Sequence, residues 1–596
     1  MTDLHPVSSD SYPLAADTFQ RFAIAADQIA ATTKRLTKAA ILGEYFTALL
    51  DDDLRLAARY FAGSPFPQFD QRVLQVGGSA LMTALVTVSG AEPDTLQAAL
   101  VQRGDLGDVT ADVLPDAVTP TLVLAEVGAA FAALVETRGN KQKVAKIVHL
   151  LQRATPLEAK YLIKLMAGDL RIGLREGAVE DAIARLAQQE VARIQWVNML
   201  TGDIGETAVL ARHNQLDTAQ MRLFHPIKFM LASPVDDFAE ITQRMPDGFA
   251  VEDKYDGIRA QAHIAPKRSG SDLLLHGVTF AGIRVALFSR TLDEITPAFP
   301  DLVRPLASMK PDAFGMGADA GVILDGEIVP LQGDSFGEDQ AGRILPFQEL
   351  QKRLGRKTLT EDLLRSVPVA FIAYDLLYKD GQVLIELPYE VRQAMLESLS
   401  LESPTLRRAV SQRFPDVAAL EQEFQAARDR GNEGLMVKHL QSTYKPGKRG
   451  KDWLKVKRAI ATLDVVITAA EVGTGKRSRF LSDYTFAVRA SEDDPTLLNV
   501  GKAYSGLTDA EVQELSDWLK QHTLQEFAHG RVRTVEPKIV LEVAFDRVQA
   551  SKRHKSGYAL RFPRILRIRE DKPPAEIDTL ETVRQLAAQM GESTDG

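Results

Sequence analysis

One short segment of the chain places a lysine where it could act as a nucleophile: Glu252-Asp253-Lys254-Tyr255-Asp256-Gly257-Ile258-Arg259. A lysine amine attacks phosphorus only when it is neutral, and its usual pKa lies far above neutrality. Nearby cations or a bound metal ion lower that pKa, and an aspartate two residues away could position the amine. On its own, the pattern matches many chains by chance and favours the simpler interpretation, a solvated lysine beside an ion-paired aspartate at a hairpin.

The residues that follow this lysine have the alternation of a β-strand. Apolar and polar side chains alternate from Ile258 to Ile264. A period of two predicts a strand with one buried face. We therefore expect Lys254 to lie on a turn that opens into this strand.

Further carboxylates and cations that suit the same chemistry follow along the chain. Glu327 lies in the apolar segment 322–329, and Glu433 comes directly after a Gly-Asn turn. The most basic stretch, 444–458, has one acidic residue and these cations: Lys445, Lys448, Arg449, Lys451, Lys455, Lys457 and Arg458. Because apolar residues alternate with them, Lys455 and Lys457 would share one face of a strand, where their charges could meet a phosphate.

Composition limits the classes of protein to which the chain can belong. Its 596 residues, 45% of them hydrophobic and 25% charged, suit an ordinary globular protein of about three or four domains. The absence of cysteine excludes disulfides and cysteine-built zinc sites. We expect no membrane span and no secretory signal. The net charge of −9 argues against nucleic acid as a partner, but local basic stretches decide phosphate binding.

The pattern of elements divides the chain into three expected domains. Residues 1–222 predict an all-α domain, with helices near 36–50, 141–154, 157–166 and 178–187. Residues 223–459 mix short strands with helices and predict an α+β domain. Residues 460–596 predict about five strands, including 463–469, 484–489, 498–504 and 539–545, with one helix near 508–522. This pattern suits a C-terminal β-barrel of the OB-fold type.

Cations of the helical region allow two interpretations. Lys141, Lys143, Arg171 and Arg175 could be solvated surface charges, and residue type alone favours this simpler interpretation. They could instead contact a phosphate backbone, together with N–H groups at helix ends and small loops.

Taken in order, several segments resemble the nucleotidyltransferase motifs of ATP-dependent DNA ligases. They are Lys254 to Gly257, Ser289-Arg290, Asp325 to Glu327, Tyr374-Asp375, Glu433-Gly434, Trp453 to Lys457, and Arg561 to Lys572. The helical region 141–174 also resembles the DNA-binding domain of that family, so the resemblance covers nearly the whole chain. Each motif alone is weak evidence, but seven in the right order are strong. The resemblance implies three domains that close around nicked duplex DNA.

The resemblance also implies a role for each matching residue. Lys254 would become linked to AMP, Glu252 would contact the adenine, and Tyr374, or the nearby Phe371, would stack on it. Arg259 and Arg290 would contact the nucleotide or the 5′-phosphate. Glu327 would bind the nucleotide and a metal ion, and Glu433 would bind the metal ion.

The resemblance further implies that phosphates are neutralised by Arg449, Lys455 and Lys457, and that the leaving pyrophosphate is oriented in the first step by Arg569, Asp571 and Lys572. The implied cofactors are ATP and Mg²⁺, for which Mn²⁺ could substitute.

The implied activity is the sealing of nicks in DNA replication, repair or recombination. Lys254 would attack the α-phosphate of ATP, AMP would pass to the 5′-phosphate at the nick, and the 3′-hydroxyl would displace AMP. Each step is a displacement at phosphorus, where catalysis is mainly positioning and charge neutralisation. We expect a monomer on DNA, without membrane association, in the bacterial cytoplasm.

Three alternatives fit part of the pattern. An NAD-dependent DNA ligase also uses a K-x-D-G lysine, but that family carries a four-cysteine zinc site and this chain has no cysteine. An RNA ligase or a capping guanylyltransferase is similar in its core, but is not expected to carry the helical N-terminal region. A catalytically inactive nucleic-acid-binding protein would not need paired carboxylates among its cations.

Overall fold

The chain forms two compact units, Met1–Lys455 and Val456–Gly596. The computed structural model describes residues 17–115, 119–235, 238–267, 276–309, 320–333, 344–345, 347–354, 359–401, 403–456, 461–474, 477–528 and 530–589. The first unit contains a helical part followed by two β-sheets, and the second is built mainly of strands. None of the helices within the described ranges is long and apolar enough to cross a bilayer.

The helical part packs around one hydrophobic core, which includes Phe22, Phe46 and Tyr161. Its helices, α1 to α12, are Phe19–Ala30, Arg35–Thr47, Asp51–Phe61, Gly78–Ser89, Pro93–Arg103, Leu106–Val113, Leu124–Glu136, Asn140–Leu151, Pro156–Met166, Glu176–Ala187, Val191–Thr201 and Ile204–Arg212. The four helices predicted from periodicity are confirmed as α2, α8, α9 and α10. Helix α9 begins at a capping box, in which Thr155 and Glu158 satisfy each other's backbone N–H groups.

Two sheets follow the helices in the first unit. Their strands, β1 to β12, are Leu231–Val235, Phe249–Lys254, Ile258–Pro266, Val278–Phe280, Ile283–Ser289, Val322–Pro330, Val369–Lys379, Gln382–Val383, Leu406–Arg408, Ser411–Phe414, Gly434–His439 and Arg449–Val456. Sheet A has the order β1-β12-β11-β2-β10, and sheet B has the order β4-β5-β3-β6-β7-β8, with β9 beside β7. The accompanying helices, α13 to α18, are Phe238–Arg244, Val303–Ala307, Gln348–Gln351, Glu361–Ser366, Tyr389–Glu397 and Leu420–Asp429. This mixture confirms the α+β class predicted for the region.

Strand β3 differs from its prediction, because both of its faces are buried. Gln261 and His263, on the face expected to meet solvent, are fully buried. The segment before β1 covers that face, and Gln261 exchanges hydrogen bonds of 3.1 and 2.6 Å with the backbone N and O of Ile227. The prediction was wrong because these polar side chains pair with backbone groups from a distant segment. Lys254 also differs, since it is the last residue of β2 rather than part of the turn.

The second unit is a sheet domain, as predicted, with more strands than the sequence indicated. Its strands, β13 to β21, are Ala461–Val472, Leu481–Arg489, Leu497–Ala503, Thr523–Phe527, Val532–Val535, Val540–Phe545, Arg547–Ala550, Tyr558–Arg561 and Arg564–Ile568, and its helices, α19 and α20, are Asp509–Gln521 and Leu580–Gln589. The order is β15-β14-β13-β17-β16, with β18 joining β13 to β21. The pairing among these described strands does not close into a barrel. The four strands that the sequence placed are confirmed as β13, β14, β15 and β18.

His263 is held in its neutral form by the packing of β3. Its Nδ1 accepts a hydrogen bond of 2.9 Å from the backbone N of Phe224, so this nitrogen cannot also carry a proton. Burial lowers the pKa of His263 to about 3. Protonation would cost both the desolvation of a charge and this hydrogen bond.

We predict that His263 makes the first unit less stable in mild acid. The unfolded chain takes up a proton near pH 6.5 and the folded chain does not, so the free energy of unfolding should fall as pH drops from about 6.5 towards 3, by up to about 1.4 kcal/mol per pH unit. Denaturant unfolding across this range would measure the slope. His263→Gln should flatten it, whereas His149→Gln at an exposed position should not. An unchanged slope in His263→Gln would contradict the assignment.

Candidate active site

A cavity of about 440 Å³ opens beside the turn that joins β2 to β3. Both sheets contribute to its lining. Of the residues proposed from the sequence, the cavity brings together Glu252, Lys254, Arg259, Arg290, Glu327, Tyr374, Glu433, Arg449 and Lys455. Residues that are far apart in the chain therefore line one cavity.

Lys254 ends β2 with its ammonium held by a carboxylate. Its Nζ donates a hydrogen bond of 2.5 Å to Oε2 of Glu433. Strand β11 pairs with β2 so that Gly434 lies opposite Lys254, which brings Glu433 next to the end of β2. Asp256, which the sequence suggested for positioning the amine, accepts a hydrogen bond of 3.4 Å from the backbone N of Phe347. The pairing of two distant strands thus supplies a partner for the lysine.

Gly257 lets the turn after Lys254 approach strand β6. A Cβ atom at this position would lie 2.3 Å from the backbone O of Ile328 and 2.8 Å from Cγ of Glu327. No real side chain tolerates such distances, so the motif requires glycine here for packing. The glycine keeps the turn that follows Lys254 close to the strand that carries Glu327.

Arg259 is fixed by a buried carboxylate that the sequence analysis did not single out. Its Nε and Nη2 donate to the two oxygens of Asp325 at 3.1 and 2.7 Å. Asp325 is fully buried and also accepts a hydrogen bond of 2.7 Å from the hydroxyl of Tyr444. In the β3–β6 register Arg259 lies opposite Glu327, and opposed residues share one face of a sheet. The guanidinium is therefore directed towards the cavity beside Glu327.

Glu327 is largely shielded from solvent and lies near both carboxylates and cations. Burial raises the pKa of Glu327 to about 8, and the neighbouring charges of Asp325 and Glu433 act in the same direction. Lys254 and Arg259 oppose this rise. A further cation bound here would favour the ionised carboxylate, because opposite charge lowers a carboxyl pKa.

The two aromatic candidates for stacking on a base occupy different places. Tyr374 lines the cavity, and its ring centroid lies 5.7 Å from Cζ of Arg259. Phe371 is fully buried in the core of sheet B, and its ring packs where a Cβ on Gly326 would come within 2.5 Å. The geometry thus favours Tyr374 for a contact in the cavity.

Glu252 is nearly buried, and donors from two other elements bind its carboxylate. Lys438 of β11 lies 2.7 Å from Oε2, and the hydroxyl of Tyr389 in α17 donates to Oε1. Lys438 also lines the cavity, although sequence reasoning missed it. A signal for it existed, because in a strand that begins at Gly434 alternation puts Met436 and Lys438 on one face.

Three further proposed cations line the cavity: Arg290, Arg449 and Lys455. Arg290 follows β5 and is exposed. Arg449 begins β12 and donates a hydrogen bond of 2.6 Å to the backbone O of Ala232. Lys455 is partly buried in the same strand. Lys457 lies outside the described residues.

In the second unit, Arg569, Asp571 and Lys572 form one connected group. Arg569 makes two hydrogen bonds of 2.9 Å to Asp571, which lower the pKa of Asp571 to about 2. Arg569 and Lys572 also bind the carboxylate of Asp464, at 3.0 and 2.7 Å. Asp464 was missed from the sequence, since its place opposite these cations depends on how β13 and β18 pair.

The helical cations divide into exposed and buried groups. Lys141, Arg171 and Arg175 are exposed, and Arg171 donates a hydrogen bond of 2.6 Å to the backbone O of Gly104. Lys143 is buried, and its Nζ donates to the backbone O atoms of Leu74 and Gln75 at 2.8 and 3.3 Å. The geometry gives Lys143 a structural partner within its own domain.

Comparison with family models covers most of the chain. Residues 18–184 match the DNA ligase N terminus, residues 229–457 match the ATP dependent DNA ligase domain, and residues 477–572 match the ATP dependent DNA ligase C terminal region.

Full-length relatives agree with these matches. A probable DNA ligase of Koribacter versatilis (strain Ellin345) is 46% identical over 593 residues, which cover 95% of this chain and 96% of that protein. A DNA ligase of Archaeoglobus fulgidus is 32% identical over 584 residues, 95% of this chain and 98% of that protein. The solved structure named Pmar-Lig_PreS3 covers 92% of this chain and 99% of its own, at 16% identity and a TM-score of 0.52. That likeness shows a shared fold.

We predict that Lys143 of α8 contributes to the stability of the protein, whereas Lys141 of the same helix contributes to DNA binding. Lys143→Met should lower the free energy of unfolding by about 1–3 kcal/mol, because the buried carbonyl group of Leu74 and the carbonyl group of Gln75 lose their donor. Lys141→Met should leave stability within about 0.5 kcal/mol and weaken DNA binding, with a salt dependence reduced by about one ion. Denaturant unfolding and binding titrations at several salt concentrations would measure both. Equal stability of the two variants would contradict the structural role of Lys143.

Proposed function

This chain belongs to the ATP-dependent DNA ligase family, and we propose that Lys254 is the nucleophile through which it acts. As a member of that family it is a DNA ligase that uses ATP and seals nicked DNA through an adenylate intermediate. The observation that carries the proposal is the cavity itself, in which Lys254 faces two carboxylates and a group of cations. We also propose the division into domains 1–222, 223–459 and 460–596, which the three separate family matches support.

The side chains suit displacement at phosphorus. In the first step Nζ of Lys254 would form a bond to the α-phosphorus of ATP while the bond to pyrophosphate breaks. Such a reaction needs positioning and charge neutralisation more than proton transfer by a histidine. Glu433 holds the amine at the end of β2, and Asp325 holds Arg259 beside it. We assign Arg259, Arg290, Arg449, Lys455 and Lys457 to the phosphates of the nucleotide or of the DNA.

Two carboxylates fit a divalent metal ion. Mg²⁺ is commonly bound by one or two carboxylates, with waters and substrate phosphates as its other ligands. Within the described residues there is no cluster of three or more candidate ligands, so the share of the protein would be the pair Glu327 and Glu433. When bound, Mg²⁺, or Mn²⁺ in its place, would neutralise charge on the transferred phosphoryl group.

The position and exposure of the side chains support the remaining assignments. We propose that Tyr374 stacks on the adenine, that Glu252 contacts its edge, and that the exposed Lys141, Arg171 and Arg175 contact DNA. In the second unit, Arg569, Asp571 and Lys572 are proposed to act on pyrophosphate in the first step only. A monomer in the bacterial cytoplasm remains our proposal, and the similarity to a Koribacter protein supports the bacterial part.

We predict that Lys254→Ala and Lys254→Arg both lose covalent labelling by α-labelled ATP, by at least about a thousandfold. The arginine variant keeps the positive charge, so its failure would isolate the need for a neutral amine. Label should appear on the wild-type protein in the presence of Mg²⁺ and be chased by nicked DNA. Parallel reactions with labelled NAD and GTP test the alternative enzymes. Lys352→Ala, at an exposed site, is the matched control, and labelling of Lys254→Ala at the normal rate would refute the assignment.

We predict that Lys572→Ala separates the first chemical step from the last. Self-adenylylation with ATP should slow by about a hundredfold, because a cation proposed to act on the leaving pyrophosphate is lost. Sealing of a nick that already carries a 5′-adenylate should continue at the normal rate. The control is Lys520→Ala, an exposed lysine of α19. An equal loss in both assays would instead show that Lys572 serves the fold or DNA binding.

A further inference from the structure

Lys438 is a buried cation that none of the roles assigned above explains. Its side chain is 1% exposed, and its Nζ lies 2.7 Å from Oε2 of Glu252. The ammonium also lies over three aromatic rings, 4.4 Å from the centroid of Trp453, 4.8 Å from Tyr389 and 4.9 Å from Tyr374. Burial of an ammonium is expensive unless it is paired, and here one carboxylate and three ring faces compensate. Such an arrangement fixes the position of the charge closely.

The same contacts fix the carboxylate of Glu252. One oxygen accepts from Lys438, and the other accepts from the hydroxyl of Tyr389. The hydroxyl of Tyr389 also shares a hydrogen bond of 3.1 Å with the hydroxyl of Ser411. The donors come from β11 and α17, so Glu252 on β2 is held from two sides while it still lines the cavity. Both donors favour the ionised carboxylate, which is a hydrogen-bond acceptor only.

An acceptor-only group can distinguish between purines. At position 6 adenine presents an amino group, which donates, whereas guanine and hypoxanthine present a carbonyl oxygen, which accepts. An ionised carboxylate binds the first and repels the second. A protonated carboxyl could donate to the carbonyl oxygen, so the discrimination depends on keeping Glu252 ionised.

We propose that Lys438 is a specificity-determining residue, which holds Glu252 as an acceptor for the 6-amino group of adenine and so excludes 6-oxopurine nucleotides. This inference rests on the proposed function, since it takes the cavity around Lys254 as the nucleotide site. Lys438 acts through Glu252 and is a positioning residue rather than a catalytic one.

The electrostatics around Glu252 support this dependence. Burial raises the pKa of Glu252, and Lys438 and Tyr389 oppose that rise. Asp375 also acts on Glu252, raising its pKa further, and is itself paired with the buried Arg392. The buried hydroxyl of Tyr255 interacts with Glu252 as well. Without Lys438, burial and Asp375 would therefore favour the protonated carboxyl.

The test compares covalent labelling by α-labelled ATP, ITP and GTP in the absence of DNA. ITP probes positions 1 and 6 of the purine, because it differs from ATP there and lacks the 2-amino group of GTP. For the wild type we expect a strong preference for ATP in kcat/KM. Lys438→Met removes the charge at similar length, and it should reduce the ATP-to-ITP ratio by about tenfold or more. Lys438→Arg keeps a cation and should retain most of the preference.

A pH series separates the proposed role from a structural one. In Lys438→Met the ATP-to-ITP ratio should recover as pH rises, because Glu252 ionises again, and the wild type should reach its full ratio at a lower pH, because Lys438 favours the ionised carboxylate. Tyr389→Phe removes the other donor and should shift the ratio in the same direction, so it replaces Lys438→Met if that variant does not fold. Melting temperatures of all variants provide the control for folding.

The outcomes distinguish a failure of the role proposed for Lys438 from a failure of the proposed function. If the ATP-to-ITP ratio stays within about twofold of wild type in Lys438→Met and in Tyr389→Phe, while ATP and ITP labelling fall together, Lys438 only supports the fold and the inference is overturned. If the wild type takes no label from any nucleotide, the proposed function itself fails.

Discussion

The ion pair between Arg259 and Asp325 is the interaction on which the geometry of the cavity depends. Asp325 is completely buried, and removing one partner of such a pair commonly costs about 3–5 kcal/mol because the other charge remains desolvated. The pair also connects parts of both sheets. Tyr444, just before β12, donates to Asp325, and Arg259 donates a hydrogen bond of 2.6 Å to the backbone O of Met230, just before β1. The cavity therefore exists where a buried charge forces four segments to meet.

Pairing between distant strands distributes the functional groups around this point. Strand β2 carries Glu252 and Lys254 on one face, and its neighbour β11 brings Lys438 beside the first, while Glu433, just before β11, meets the second. Lys254, Arg259 and Lys438 are thus each matched by a carboxylate from another segment. Gly257 then sets how near the turn after Lys254 comes to Glu327. The motif residues are close together because the strand register is fixed, and this register is a property of the whole fold.

Local sequence was sufficient for features that depend on local forces. Helical periodicity placed α2, α8, α9 and α10, and the ordered motifs identified the family. It was insufficient wherever a side chain is satisfied by a distant partner. Gln261 and His263 were expected on a solvated face because nothing nearby in sequence shows that segment 224–227 covers them. Lys143 resembled a surface cation for the same reason, although distant carbonyl groups bind it.

The basic residues of the cavity do not by themselves make it a site for anions, because acidic residues that line the same cavity offset most of their charge. Among its described lining residues are six lysines and arginines and five aspartates and glutamates, so the excess of positive charge is small. Several of the cations are already engaged by carboxylates, and these contacts position them as much as they neutralise them. Under the proposed function, a nucleoside triphosphate would bring several negative charges into this nearly balanced volume. Further positive charge would then be required, and two carboxylates among phosphates are an environment that suits a divalent ion. The same carboxylates that order the cavity before a nucleotide binds would thus become the means of recruiting the missing charge.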